Sequence, residues 1–191
     1  MPAPTSDSFP ASARLLSPQI RLFGEVSDDM FWRFREQLDG VKDDHITLEL
    51  TTPGGDADCG RRIADDIRIA CEHDGKTFWF AGRTVVYSAG ASIMSAFPTE
   101  RRYLSRGSIL MVHQRKMSKD IAFHSALQAS EQEANQLIAE IKTGQMLEER
   151  GFRALIKGSE IRWEEVAERA ATNWYITAEE ALERKLIAGI F

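Results

Sequence analysis

Three short apolar runs set the architecture: HITLELTT (45–52), KTFWFAG (76–82) and Ile109–Val112. A segment with helical spacing of apolar residues separates the first two. Strands that alternate with helices predict βαβ units, and hence an α/β fold around a mostly parallel sheet covered on both faces. The pattern extends towards the N-terminus. QIRLFG (19–24) alternates and ends in glycine, a further strand. SDDMFWRFREQLDG then reads as an amphipathic helix, with Ser27 or Asp28 as N-cap, Met30, Phe31, Phe34 and Leu38 on one face, and Gly40 closing it.

The same spacing predicts further helices. One is expected from about Asp58 to Glu72, with Ile63, Ile67, Ile69 and Ala70 as its apolar positions. VVYSAGASIM (85–94) is expected to be helical to about Phe97, after which a short strand and a turn at Gly107 lead into Ile109–Val112. From about Lys119 to Ile156 a helical pattern runs without proline, interrupted only by Gly144 and Gly151. Helices over about 162–171 and 177–186, the latter capped by Thr177, precede a terminal IAGIF strand. A chain of 191 residues is enough for one such domain. Residues 19–191 are assigned to it, and the polar, Pro/Ser-rich residues 1–18 are expected to form a flexible tail.

Several function classes are set aside by composition. A net charge of −5 without a basic run carries no nucleic-acid footprint. No apolar run approaches the roughly 18 residues that cross a bilayer, and the N-terminus has no apolar signal core. Cys59 and Cys71 form no CxxC and read as unpaired thiols of a reducing compartment. The four histidines are scattered, so neither a metal nor another cofactor is expected. Together these point to a cytoplasmic protein.

The chemistry lies at strand ends. Ser88 stands where a strand gives way to a helix, beside unpaired backbone N–H groups that favour a developing oxyanion, and Ala89, Gly90 and Ala91 let a substrate backbone come close. Taken alone, Ser88 reads more simply as a helix cap. Ser92, one turn further, reads as a packing serine bonded to the carbonyl four residues back, and Ser95 likewise. His113 comes directly after an apolar strand, at the edge where sites of parallel sheets gather. TTPGGD (51–56) places Pro53, Gly54 and Gly55 in a tight turn that exposes amides. A nucleophile, a base and an anion cradle are thus expected on one edge of one sheet.

TTPGGD, YSAGAS and ILMVHQ, in this order, resemble the Clp peptidase family, the ClpP-like serine peptidases. The spacing from residue 88 to residue 113 also matches, and the resemblance runs from about Gln19 to the C-terminus. It implies a ClpP/crotonase-like fold of repeated βαβ units, with a helical handle extension over about 115–157. It implies Ser88 as nucleophile, His113 as general base, the amides of Gly55 and Ala89 as the oxyanion hole, and Gly54 and Gly55 as the edge that takes a peptide. It further implies a serine endopeptidase acting on unfolded peptides within a homo-oligomeric ring, fed by a separate AAA+ unfoldase; no Walker A motif occurs in this chain.

The sequence also departs from that pattern. Asn173 stands where the family has its third catalytic residue, an aspartate. An amide oxygen can hold the histidine tautomer but cannot offset an imidazolium charge. Glu168 and Asp120 are the fallback acids. The interval between His113 and Asn173 is longer than the family's, and QRKMSKDIAF lacks the glycine-rich run that usually comes after the His-Gln pair. Stacking into a double ring is therefore left open. Two alternatives stand beside the peptidase: a weakly active or non-catalytic ring subunit, and a crotonase-type acyl-CoA enzyme.

Overall fold

The computed structural model describes residues 15–124 and 126–191. Of the segment expected as a tail, residues 1–14 lie outside the described residues, while Leu15 and Pro18 are buried. Seven strands form a single sheet: β1 (Ile20–Phe23), β2 (His45–Thr52), β3 (Thr77–Tyr87), β4 (Arg102–Leu104), β5 (Ile109–Val112), β6 (Trp174–Thr177) and β7 (Gly189–Ile190). The main path runs β1-β2-β3-β4-β7, and every pair along it is parallel. β5 joins β3 in parallel and β6 antiparallel.

The long strand β3 creates this branch. Its first half pairs with β4 (Gly82↔Leu104), and its second half with β5 (Val85↔Ile109). Between them the β2–β3 register shifts, from Leu50↔Gly82 to Thr52↔Val86, and Thr84 takes φ 59°. An irregularity of this kind bends a strand and re-aims its second half. The expected helix over residues 85–97 is corrected accordingly. Val85, Val86 and Tyr87 continue the strand, as their β-branched and aromatic side chains favour, and only α3 (Ala89–Met94) is helical.

Helices α1 (Asp28–Gly40) and α2 (Ala57–His73) come after β1 and β2. Ser27 caps the first through the Met30 amide, and Asp56 caps the second by accepting from the Asp58 and Cys59 amides. In α2, Ile63, Ala64, Ile67 and Ala70 are buried, but Ile69 is 51% exposed. It sits between two inward positions of a 3.6-residue period, so helical geometry turns it outward.

The chain after β5 behaves differently. The described residues among 113–126 form no helix or strand, and the long helix α4 runs over Leu127–Ile156. It starts eight residues later than Lys119, and Ile121 and Phe123 in the intervening segment lie exposed. Along its 30 residues only Leu155 is buried. Its C-terminal end is fastened by the fully buried Arg102, which donates to the carbonyls of Phe97 (2.7 Å), Leu155 (2.5 Å) and Leu186 (3.5 Å). Burial pulls its pKa down to about 10, against the opposing pull of the nearby Glu100 carboxylate. Short helices α5 (Trp163–Arg169) and α6 (Ala178–Glu183, capped by Thr177) complete the fold; the first is shorter than expected because the chain tightens into a 3₁₀ turn at Ala170–Thr172.

Candidate active site

Ser88 occupies the single residue between β3 and α3, at φ 53° and ψ −110°. That left-handed conformation costs a non-glycine residue on the order of 1–3 kcal/mol, so the surroundings must enforce it. Two hydrogen bonds do so: the Ser88 amide donates to Met111 O (2.8 Å), and the Ala91 amide donates to Ser88 O (2.9 Å). Three glycines let other chain segments close in. A Cβ on Gly54 would stand 2.9 Å from Ser88 Cβ, one on Gly60 2.9 Å from Ala89 O, and one on Gly90 2.5 Å from Thr52 Cγ2. The small residues around Ser88 are thus demanded by packing of α3 on α2 and β2. Its hydroxyl makes no capping bond, and the backbone lacks the extended geometry of a cap, so the simple cap reading does not describe it.

The turn beside it presents one amide. Gly54 N–H goes to Thr52 Oγ1 (3.0 Å), Val26 N–H takes Gly54 O (2.8 Å), and Asp56 N–H takes Val26 O (2.8 Å). Gly55 lies at φ 142°, where a Cβ would meet Val26 O at 2.3 Å. Among the described residues, neither its N–H nor that of Ala89 donates to a protein acceptor. Both residues line one cavity of about 430 Å³ together with Ser88, Ser92 and His113. Ser92 is half-buried against that cavity and does not bond the Ser88 carbonyl as expected; Ser95 instead donates to Ser92 O (2.7 Å).

His113 leaves the end of β5, whose Met111 pairs with Tyr87, so histidine and serine emerge at the same edge of adjacent strands. The imidazole Nδ1–H donates to Gln114 O at 2.6 Å. A carbonyl can only accept, so in the neutral imidazole Nδ1 carries the proton and Nε2 the lone pair. Asn173 stands one step beyond the Val112↔Trp174 pair, across from His113, at φ 63° and exposed. No hydrogen bond joins it to His113 among the described residues, and it does not line the cavity. Glu168 and Asp120 are exposed and likewise lie off the cavity wall.

The far wall was not legible in the sequence. Arg115 clamps the Asp58 carboxylate through both guanidinium nitrogens (3.1 and 2.8 Å), while its own amide donates to the Glu148 carboxylate. Arg115 holds the Asp58 carboxyl below its ordinary value of 3.8, with Arg61 adding to the effect. Leu147, Gly151 and Phe152 of α4 close that side. These contacts span dozens of residues, and no local pattern announces them. Cys59 and Cys71 are free thiols. Desolvation, aided by Asp56 and Asp28, pushes the Cys59 thiol up to about 11, so it is not a competing nucleophile. Among the described residues no cluster of His, Cys, Asp and Glu could hold a metal, and no helix is long and apolar enough to cross a membrane.

Comparison with known proteins places this geometry in context. The Clp protease family model matches residues 8–191. The ATP-dependent Clp protease proteolytic subunit 2 of Treponema pallidum is 28% identical over 183 residues, covering 90% of this chain and 81% of that one. Proteolytic subunit 3 of Rhizobium etli is 26% identical over 183 residues, covering 91% and 84%. Among solved structures, an asparagine-to-aspartate variant of ClpP1 from Listeria monocytogenes superposes with a TM-score of 0.72 over 95% of each chain at 19% identity, which speaks for the fold.

Proposed function

This chain belongs to the Clp protease family, and on that premise we propose that it is a serine endopeptidase that cleaves extended peptides, with Ser88 as nucleophile and His113 as general base. The observation that carries this reading is the uncapped, left-handed Ser88 opening into the cavity that His113 also lines. A peptide lies as an added strand along Gly54–Gly55. His113 Nε2 takes the hydroxyl proton as Ser88 Oγ attacks the carbonyl. The oxygen that becomes negative is met by the N–H groups of Gly55 and Ala89. The imidazolium then hands its proton to the leaving amine, and water, deprotonated by the same nitrogen, releases the acyl group.

The weak point of this machinery is charge. The partner of His113 Nδ1 is the Gln114 carbonyl, and Asn173 across from it is neutral. The Gln114 oxygen fixes the tautomer, and neither group offsets the imidazolium. Replacing aspartate by asparagine in the well-studied serine protease triad lowers turnover about 10⁴-fold, so slow chemistry is expected here. The same observation favours the second reading, a ring subunit with little activity of its own. In both readings residues 19–191 act as one domain, with about 115–157 as its handle, within a homo-oligomeric chamber in the cytoplasm. The relatives are named as ATP-dependent, which supports a separate AAA+ unfoldase as the partner.

Labelling with a fluorophosphonate decides between them. The peptidase reading expects covalent modification of Ser88, none in Ser88→Ala, and a rise of up to about 10⁴-fold in peptide hydrolysis in Asn173→Asp. A wild-type chain and an Asn173→Asp variant that both stay unlabelled, though folded, leave the non-catalytic subunit.

A further inference from the structure

A second recess adjoins the Ser88 cavity. It holds about 250 Å³ and runs along α3, between α2 and α4. Arg61, Ser92, Leu147 and Gly151 belong to both walls, so the two spaces adjoin. Ser92 and Ser95 line it along α3, and Arg61, Asp65 and Arg68 flank it from successive turns of α2.

The charges in this recess do not cancel. Asp65 is taken by Arg68 (2.8 Å), which also donates to Ser95 Oγ (3.1 Å). Among the described residues Arg61 pairs only with Asp58, at 3.3 Å, and that carboxylate is already clamped by both terminal nitrogens of Arg115. Two guanidiniums thus bond to one carboxylate. Asp56 and Glu148 keep their charges and act on Arg115, but the recess itself is lined by Arg61, Arg68 and Arg150 against Asp65 alone. Arg150, on the α4 side, enters no ion pair among the described residues. A surplus of positive charge thus faces the recess of a chain whose net charge is −5.

We infer that this recess receives the side chain next to the scissile bond and that Arg61, helped by Arg150, selects an acidic one, glutamate above all. The inference rests on Ser88 being the nucleophile. Distance favours Arg61 over Arg68. Ser92 lies one helical turn, about 5.4 Å, beyond Ser88, comparable to the reach of a glutamate side chain. Arg61 lines both the Ser88 cavity and the recess, whereas Arg68 lines the recess alone and is bound at Ser95. A guanidinium with unused donors makes a charge-assisted bond to a carboxylate that a glutamine side chain cannot match.

The test uses the full chain in its natural assembly and peptidyl phosphonate probes that differ only at the residue beside the phosphorus: Glu, Gln, Leu and Arg. Labelling of Ser88 is expected to be fastest with Glu, about tenfold or more over the near-isosteric Gln. High salt narrows that ratio, since Arg61 is part-exposed. Arg61→Gln brings the ratio close to one and Arg61→Lys restores part of it; Arg150→Gln lowers it by a smaller factor. Equal labelling by Glu and Gln, or faster labelling by Leu or Arg, overturns the inference while leaving the peptidase intact. Failure of every probe to modify Ser88 overturns both.

Discussion

The sheet with its first two helices and the arm beyond His113 obey opposite rules. In α1 and α2, each apolar stripe lies against the sheet, and Phe34, Ile63 and Ile67 are fully buried. In α4, Leu127, Ile138, Ile141 and Met146 face outward, and Leu155 alone is buried. Both regions carry apolar residues at helical spacing. Only the first has a surface of this subunit opposite that spacing. An amphipathic pattern therefore states that a helix forms and which side is apolar, while the rest of the fold decides whether that side is covered.

Three substitutions sharpen this contrast. Phe80 sits in the core at zero exposure, packed against Phe97 at 5.2 Å between centroids. Phe80→Ala is expected to cost about 3–5 kcal/mol in urea unfolding; a loss under about 1 kcal/mol would mean the sheet side is less tightly packed than its burial implies. Arg102 fastens the one anchored end of the arm. Arg102→Met is expected to cost about 1–3 kcal/mol, because three buried carbonyls lose their donor, and to speed amide exchange at the C-terminal turns of α4 ahead of the sheet. Exchange that quickens equally everywhere would show that arm and sheet open together. The smallest effect belongs to the arm's outer side. Ile138→Ser is expected to change stability by less than about 0.5 kcal/mol at every protein concentration. A larger loss that depends on concentration would show that another copy covers this face, and would erase the contrast in the assembled state.

Much of the candidate site was legible because its elements are local. The Pro53–Gly55 turn, Ser88 among small residues, and His113 at a strand end each announce themselves in a few consecutive letters, and the parallel order of strands brings them to one edge. Ser88 as the strained residue was not legible. Its left-handed backbone depends on Met111 across the strand and on close approach by Gly54, contacts made only in the folded chain. Asn173 was legible as a position, opposite His113 in register, but not as lacking a bond to it. The end of β3 was misjudged because an alanine- and serine-rich stretch has helical spacing of its own, and pairing with β5 overrode it as far as Tyr87. The start of α4 was misjudged because spacing alone does not reveal where helical order ceases to be rewarded.

By itself the amino-acid order determined the alternation of strands and helices, the capped starts of α1 and α2, and the three short motifs, since each depends on interactions within a few residues. Only the tertiary structure decided that Arg115 would clamp Asp58, that Arg102 would bridge Phe97, Leu155 and Leu186, and that Arg61 would line the Ser88 cavity. Those contacts join residues far apart in the chain. Their strength depends on desolvation and on competing partners, quantities that exist only once the chain has folded around them.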